Sequence, residues 1–83
     1  MQIRIRLAEP FWRTIGQRDI TVELRKGATV ADLMVELRHS FPDLGQEMDG
    51  SPPIVIVGDD EAGGDLQLQE NMLLHLVWPI AGG

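Results

Sequence analysis

An α+β fold is expected of this chain: a mixed sheet of 4–5 strands with one main helix packed on one face. Three features of the sequence carry that expectation. Segments 2–7 and 19–25 alternate apolar and polar residues, the period of half-buried strands. Residues 30–41 repeat apolar side chains every three or four positions, the period of an amphipathic helix. Residues 54–57 and 72–78 are short apolar runs, as strands in the interior of a sheet require.

The first strand turns Ile3, Ile5 and Leu7 to one side and Gln2, Arg4 and Arg6 to the other. Because it starts at residue 2, it also ties down the N-terminus. Glu9-Pro10 ends it. Phe11, Trp12 and Ile15 then place three large apolar groups in a segment closed by Gly16, read as a loop folded over the edge of the core. An aromatic patch exposed to a partner is the alternative. Ile20, Val22 and Leu24 repeat the alternation, so the two strands are expected to form an antiparallel hairpin across that loop.

Lys26-Gly27 breaks the second strand. Thr29 is a good N-cap, and Asp32 three residues later makes a variant of the capping box. Val30, Leu33, Met34, Leu37 and Phe41 form the apolar stripe, and Pro42 stops the helix near Ser40. Residues 43–53 read as a connector with Leu44 and Met48 as plugs into the core.

The β-branched run at 54–57 suits a strand buried on both faces or short and central. Residues 58–65 are acidic and glycine-rich, a loop. Their aspartates lack the ligand spacing and terminal glutamate of an EF-hand, and no Gly-Lys-Ser/Thr follows to make a phosphate cradle. Leu66 and Leu68 suggest a short strand or turn, Glu70-Asn71 a tight turn, and 72–78 a central last strand. One helix crossing a sheet whose first and last strands are both central is a β-grasp, or ubiquitin-like, arrangement. The domain occupies 1–78, followed by a flexible Gly-Gly tail at 79–83.

Eighty-three residues make one domain, and an apolar fraction of 43% suffices for a modest core. A net charge of −6 argues against nucleic acid or an anionic membrane as the partner. With no cysteine there is no disulfide, thiolate metal site or thiol nucleophile. No stretch is long enough to span a bilayer and none reads as a secretory signal, so the expected location is the cytoplasm. His75 reads as a core-edge residue and His39 as a cation at the negative end of the helix. No nucleophile–base pair and no metal-spaced cluster stands out. The feature left is the end of the chain. Its last three residues carry no side chain beyond the Ala81 methyl. Such an end can thread a narrow slot, and the Gly83 carboxylate is the group expected to be presented to another protein's active site.

The residues Gly27-Ala28-Thr29-Val30-Ala31-Asp32-Leu33, Phe41-Pro42-Asp43-Leu44 and Trp78-Pro79-Ile80-Ala81-Gly82-Gly83 resemble the MoaD-like sulfur carriers. These are small subunits of molybdopterin synthase within the MoaD/ThiS ubiquitin-like superfamily. Leu7-Ala8, Arg13 and Gly16 are similar to the family's first loop. The chain differs in having Asn71-Met72-Leu73 where the family usually has Gly-Asp-Glu, and Trp78 where a first proline is common.

The resemblance implies a carrier that is not an enzyme on its own and binds no cofactor or metal. Its Gly83 carboxylate would be adenylated by an E1-like enzyme of the MoaB/MoeB/ThiF type, which uses ATP. A sulfur donor such as a cysteine desulfurase or rhodanese would convert it to a thiocarboxylate. Pro79, Ile80, Ala81 and Gly82 would be the insertion peptide, with Ile80 as anchor, entering a MoaE-like large catalytic subunit to sulfurate a pterin precursor. Three alternatives remain at this point: a carrier for thiamine thiazole or another pathway, a ubiquitin-like modifier conjugated through Gly83, and an interaction module with an inert tail.

Overall fold

A computed structural model describes residues 1–50 and 52–78 of the chain. Among them the elements run β1 (Gln2–Leu7), α1 (Phe11–Ile15), β2 (Asp19–Glu23), α2 (Val30–Ser40), α3 (Pro42–Gly50), β3 (Ile54–Val57), β4 (Asp60–Glu61) and β5 (Leu73–Val77). The strands make one mixed sheet in the order β2-β1-β5-β3-β4. β1 pairs antiparallel with β2 and parallel with β5, and β3 pairs antiparallel with both β5 and β4. A parallel pair cannot be joined by a tight turn, and the long crossover between β1 and β5 is where the helices sit. Both end strands are central, as expected.

The helices cover one face. Ile3, Ile5 and Leu7 of β1, Ile20 and Val22 of β2, Val55 of β3 and Leu74 and Leu76 of β5 point into the core. Val30, Leu33 and Leu37 of α2 and Leu44 and Met48 of α3 meet them. Every buried side chain is apolar among the described residues.

The capping box of α2 forms as predicted. Thr29 Oγ1 accepts the Asp32 N–H at 3.3 Å, and the Asp32 carboxylate accepts the Thr29 N–H at 2.9 Å. That backbone donor is the chief reason the Asp32 carboxyl lies below its ordinary range, against the opposing effect of desolvation. The Thr29 hydroxyl and Arg25 add smaller contributions in the same direction. Thr29→Ala is expected to cost about 1 kcal/mol. In a domain this size that lowers the thermal midpoint by about 4–8 °C, readable by circular dichroism.

Two segments differ from expectation. Residues 42–50 are a helix, not a connector. Pro42, a stop signal for α2, opens α3 at the position where its missing N–H costs nothing. Phe41 serves both helices: its N–H donates to the Leu37 carbonyl and its own carbonyl accepts the Gly45 N–H. Gly45 looks like a breaker but is a close approach, since a Cβ there would lie 3.3 Å from the Arg38 Cα. The predicted plugs are correct, for Leu44 and Met48 are both fully buried.

Likewise, residues 11–15 are a short helix rather than a loop. Gly16, left-handed at φ 85°, caps it by donating to the Trp12 carbonyl at 2.7 Å. The segment does fold over the core edge: Phe11 is fully buried. Of the two readings of 54–57, the short, central strand is the one that forms: β3 lies between β5 and β4, and only Val55 is fully buried. A minor correction concerns the acidic loop, since residues 58–65 include β4, which pairs with β3.

Candidate functional site

Pro79, Ile80, Ala81, Gly82 and Gly83 lie outside the described residues. What the structure defines is the platform from which they continue. β5 is held along both edges, in register with β1 (Arg6 opposite His75, Leu7 opposite Leu76) and with β3 (Ile54 opposite Val77). At its start the Asn71 backbone is left-handed at φ 65°, a conformation asparagine tolerates far better than most residues. The tight turn expected at Glu70-Asn71 therefore forms with asparagine, not glycine, in the left-handed position. The Asn71 N–H donates to the Gln2 carbonyl at 2.9 Å, and the Gln2 N–H donates to the Glu70 carboxylate.

At its end, Trp78 is half-buried and packs on Phe11, with ring centroids 5.4 Å apart and planes tilted by 48°. Tilted pairs at this separation match the aromatic quadrupole preference. So α1, the element hidden from the sequence reading, clamps the last described residue. α1 is in turn tied to α3 by a hydrogen bond from Thr14 Oγ1 to Glu47 Oε1 at 2.6 Å. The signal was present in Phe11 and Trp78 as large aromatics, but nothing local paired residues so distant in sequence.

Two guanidinium groups lie over the Trp12 ring, Arg18 at 4.4 Å and Arg13 at 5.3 Å from its centroid. Its indole is a cation–π platform rather than a bare aromatic patch. Arg13 also pairs with Glu9 at 3.0 Å.

The face of the sheet away from the helices is the second component. Leu73, His75 and Val77 of β5 and Ile54 and Ile56 of β3 are half-buried there, forming an apolar strip. β1 borders it with Arg4 and Arg6, and β4 with Glu61 opposite Ile56. Arg6 is held by Asp19 at 2.8 Å. His75 thus sits within a strip between cationic and anionic margins, on the face opposite the core-facing Leu74 and Leu76 rather than at the core edge. His39 lies on the other side of the sheet, exposed in the last turn of α2. The two histidines are not brought together. Among the described residues no group of three or more metal-ligating side chains converges, and no helix is long and apolar enough to cross a membrane.

No protein-family model and no curated protein matches the sequence. Solved structures do. SAMP1 from Haloferax volcanii is similar over 100% of both chains, with a TM-score of 0.85 at 22% identity. A candidate molybdopterin converting factor subunit 1 from Pyrococcus furiosus is similar over 96% of this chain and 99% of its own, with a TM-score of 0.80 at 16% identity.

The fold is the ubiquitin-like β-grasp of MoaD-like proteins.

In a complex of subunits 1 and 2 of the molybdopterin-converting factor from Helicobacter pylori, a chain of this β-grasp fold is similar over 100% of both lengths. Its TM-score is 0.68 at 17% identity. At identities this low the likeness is one of fold. Within the β-grasp frame, the central β5, the Trp78 clamp and the apolar strip beside it are the features that the described residues carry up to Trp78.

Proposed function

We propose that the chain is a non-catalytic sulfur carrier whose Gly83 carboxylate is the reactive group. The observation that carries this reading is the sequence Pro79-Ile80-Ala81-Gly82-Gly83 placed directly after a central β-grasp strand pinned on both edges and clamped at Trp78. A rigid handle with an unbranched end suits delivery of a carboxylate into another protein's site.

The chemistry has two steps. A carboxylate is a poor electrophile because resonance spreads its charge. A partner adenylating enzyme would let a Gly83 carboxylate oxygen attack the α-phosphorus of ATP, releasing pyrophosphate and leaving an acyl-adenylate. Sulfide would then attack the carbonyl carbon and expel AMP to leave the thiocarboxylate; a donor persulfide would instead give an acyl disulfide, which a second thiol of the donor cleaves, leaving the thiocarboxylate and a donor disulfide. The acceptor we propose is the pterin precursor of the molybdenum cofactor, in complex with a larger subunit. Support comes from the fold shared with the two molybdopterin-converting-factor chains. ATP is used by the partner and is not a resident cofactor of this chain.

Docking of those partners is assigned to the apolar strip of Leu73, His75, Val77, Ile54 and Ile56, which spans β3 and the strand that leads into the tail. Small clusters of buried apolar contacts carry most interface energy. Ile56→Ala is expected to raise the KM for the adenylating partner by about tenfold, the equivalent of ~1.4 kcal/mol. The purified variant should keep its far-ultraviolet circular dichroism spectrum.

The test of the function is intact-protein mass spectrometry after incubation with an E1-like enzyme, ATP and a sulfur source. Exchange of one terminal oxygen for sulfur supports the carrier; an unchanged mass with a competent enzyme refutes it. A second reading, a modifier joined through Gly83 to amines of other proteins, is favoured by the likeness to small archaeal modifier protein 1 at a TM-score of 0.83. Covalent attachment to protein lysines in the same experiment would support it.

A further inference from the structure

Lysine occurs once in this chain, at Lys26. Its side chain is exposed in the turn between β2 and α2, and it takes part in none of the ion pairs among the described residues. The other amine, that of Met1, is occupied. It donates to the Leu24 carbonyl at 2.6 Å and pairs with Glu23 Oε1 at 3.1 Å, and the Met1 side chain is only 8% exposed. A chain whose own end becomes an activated acyl group therefore presents one open amine.

Lys26 lines a cleft of about 560 Å³ together with Met1, Gly27, Gln67, Leu68, Gln69 and Glu70. Gly27 is left-handed at φ 89° and has no Cβ, so the wall beside Lys26 is bare backbone. Gln67 and Gln69 are exposed amides, able to donate to and accept from an extended peptide. One Glu70 carboxylate oxygen accepts the Gln2 N–H, and the other takes no hydrogen bond among the described residues. The wall therefore offers a proton acceptor on the lysine's cleft.

We propose that Lys26 is the site at which this chain is itself acylated, receiving the activated tail of a second copy to give an isopeptide bond from Gly83 to Lys26 Nζ. The inference rests on the reading of Gly83 as an end activated by ATP. The neutral Lys26 amine attacks the acyl-adenylate carbonyl, a C–N bond forms, the C–O bond to the AMP phosphate breaks, and the ammonium proton passes to solvent or Glu70.

Donor and acceptor are different copies. The cleft lies at the end of the sheet where β5 begins, and the tail continues from the end where β5 finishes. Retracing β5 takes about 16 Å at a strand's rise, and five extended residues reach at most about 18 Å. A tail turning back on its own chain would have almost nothing left with which to enter the cleft.

Two measurements decide the matter. In the first, the full chain is mixed with a Pro-Ile-Ala-Gly-Gly peptide thioester and digested for mass spectrometry. One adduct at Lys26 is expected, formed at least about tenfold faster than on Nα-acetyl-lysine amide because the cleft holds the peptide. Lys26→Arg should give none. An adduct on Met1, or a rate no faster than that of the free amide, overturns the proposal. In the second, the chain is activated with an E1-like enzyme and ATP. A covalent dimer is expected that Lys26→Arg loses while still forming the thiocarboxylate when sulfide is added. Dimers that persist in Lys26→Arg, or none from a chain that does become thiocarboxylated, overturn it as well. If no thiocarboxylate forms at all, the carrier reading fails, and the peptide thioester still decides Lys26.

Discussion

A chain ending at Gly82 is expected to lose sulfur transfer altogether while melting within about 4 °C of the full chain. It still ends in a glycine carboxylate, so the chemistry of the reacting group is unchanged. Only its reach differs, by about 3.3–3.6 Å for one extended residue. A misplacement of about 1 Å can already cost a hundredfold in rate, so a shift of this size should leave the adenylation and acceptor sites empty. Stability should hardly respond, because a buried core from Ile3 to Leu76 lies upstream of the deleted residue. Changes outside a packed core stay within about 0.5 kcal/mol. Thiocarboxylate formation by mass spectrometry and a calorimetric melt check both halves. Sulfur transfer persisting in the shortened chain would remove Gly83 from the mechanism.

Phe11→Ala is expected to destabilise the domain by about 3–5 kcal/mol. Small domains hold only about 5–15 kcal/mol in total, so the variant should melt roughly 12–40 °C lower. Phe11 is fully buried at the junction of α1 with the core, and its ring is the partner of Trp78. Removing it leaves a cavity and releases the residue that precedes the tail. The near-ultraviolet circular dichroism of the tryptophans should therefore change even well below the melting range. Phe11→Leu separates the two effects, since it restores most of the volume at a cost of under about 1.5 kcal/mol but not the ring pair. A Phe11→Ala chain with an unchanged midpoint would mean that α1 does not support the fold.

Strong local patterns were legible directly. The alternation in β1 and β2, the Thr29–Asp32 capping box and the stripe on α2 each depend on neighbours within a turn or two, and each forms as expected. The Asn71 turn was legible for the same reason, because αL tolerance belongs to the residue itself. α3 was missed because Pro42 and Gly45 normally interrupt helices. Pro42 is harmless at a helix start, and Gly45 is needed where α3 packs on Arg38. The spacing from Phe41 to Leu44 to Met48 was the available clue. α1 has only five residues between a proline and a glycine, too few for a period to show.

For the site the division is sharper. The sequence by itself determined a β-grasp order of elements and an end rich in glycine, since both are matters of period and composition. Tertiary structure decided that β5 lies between β1 and β3, that Trp78 is clamped by Phe11, and that Lys26 borders a cleft at the opposite end of the sheet from Trp78. Those facts depend on contacts between residues tens of positions apart. Such contacts are chosen by the joint burial of many side chains, and no local window of sequence contains that sum.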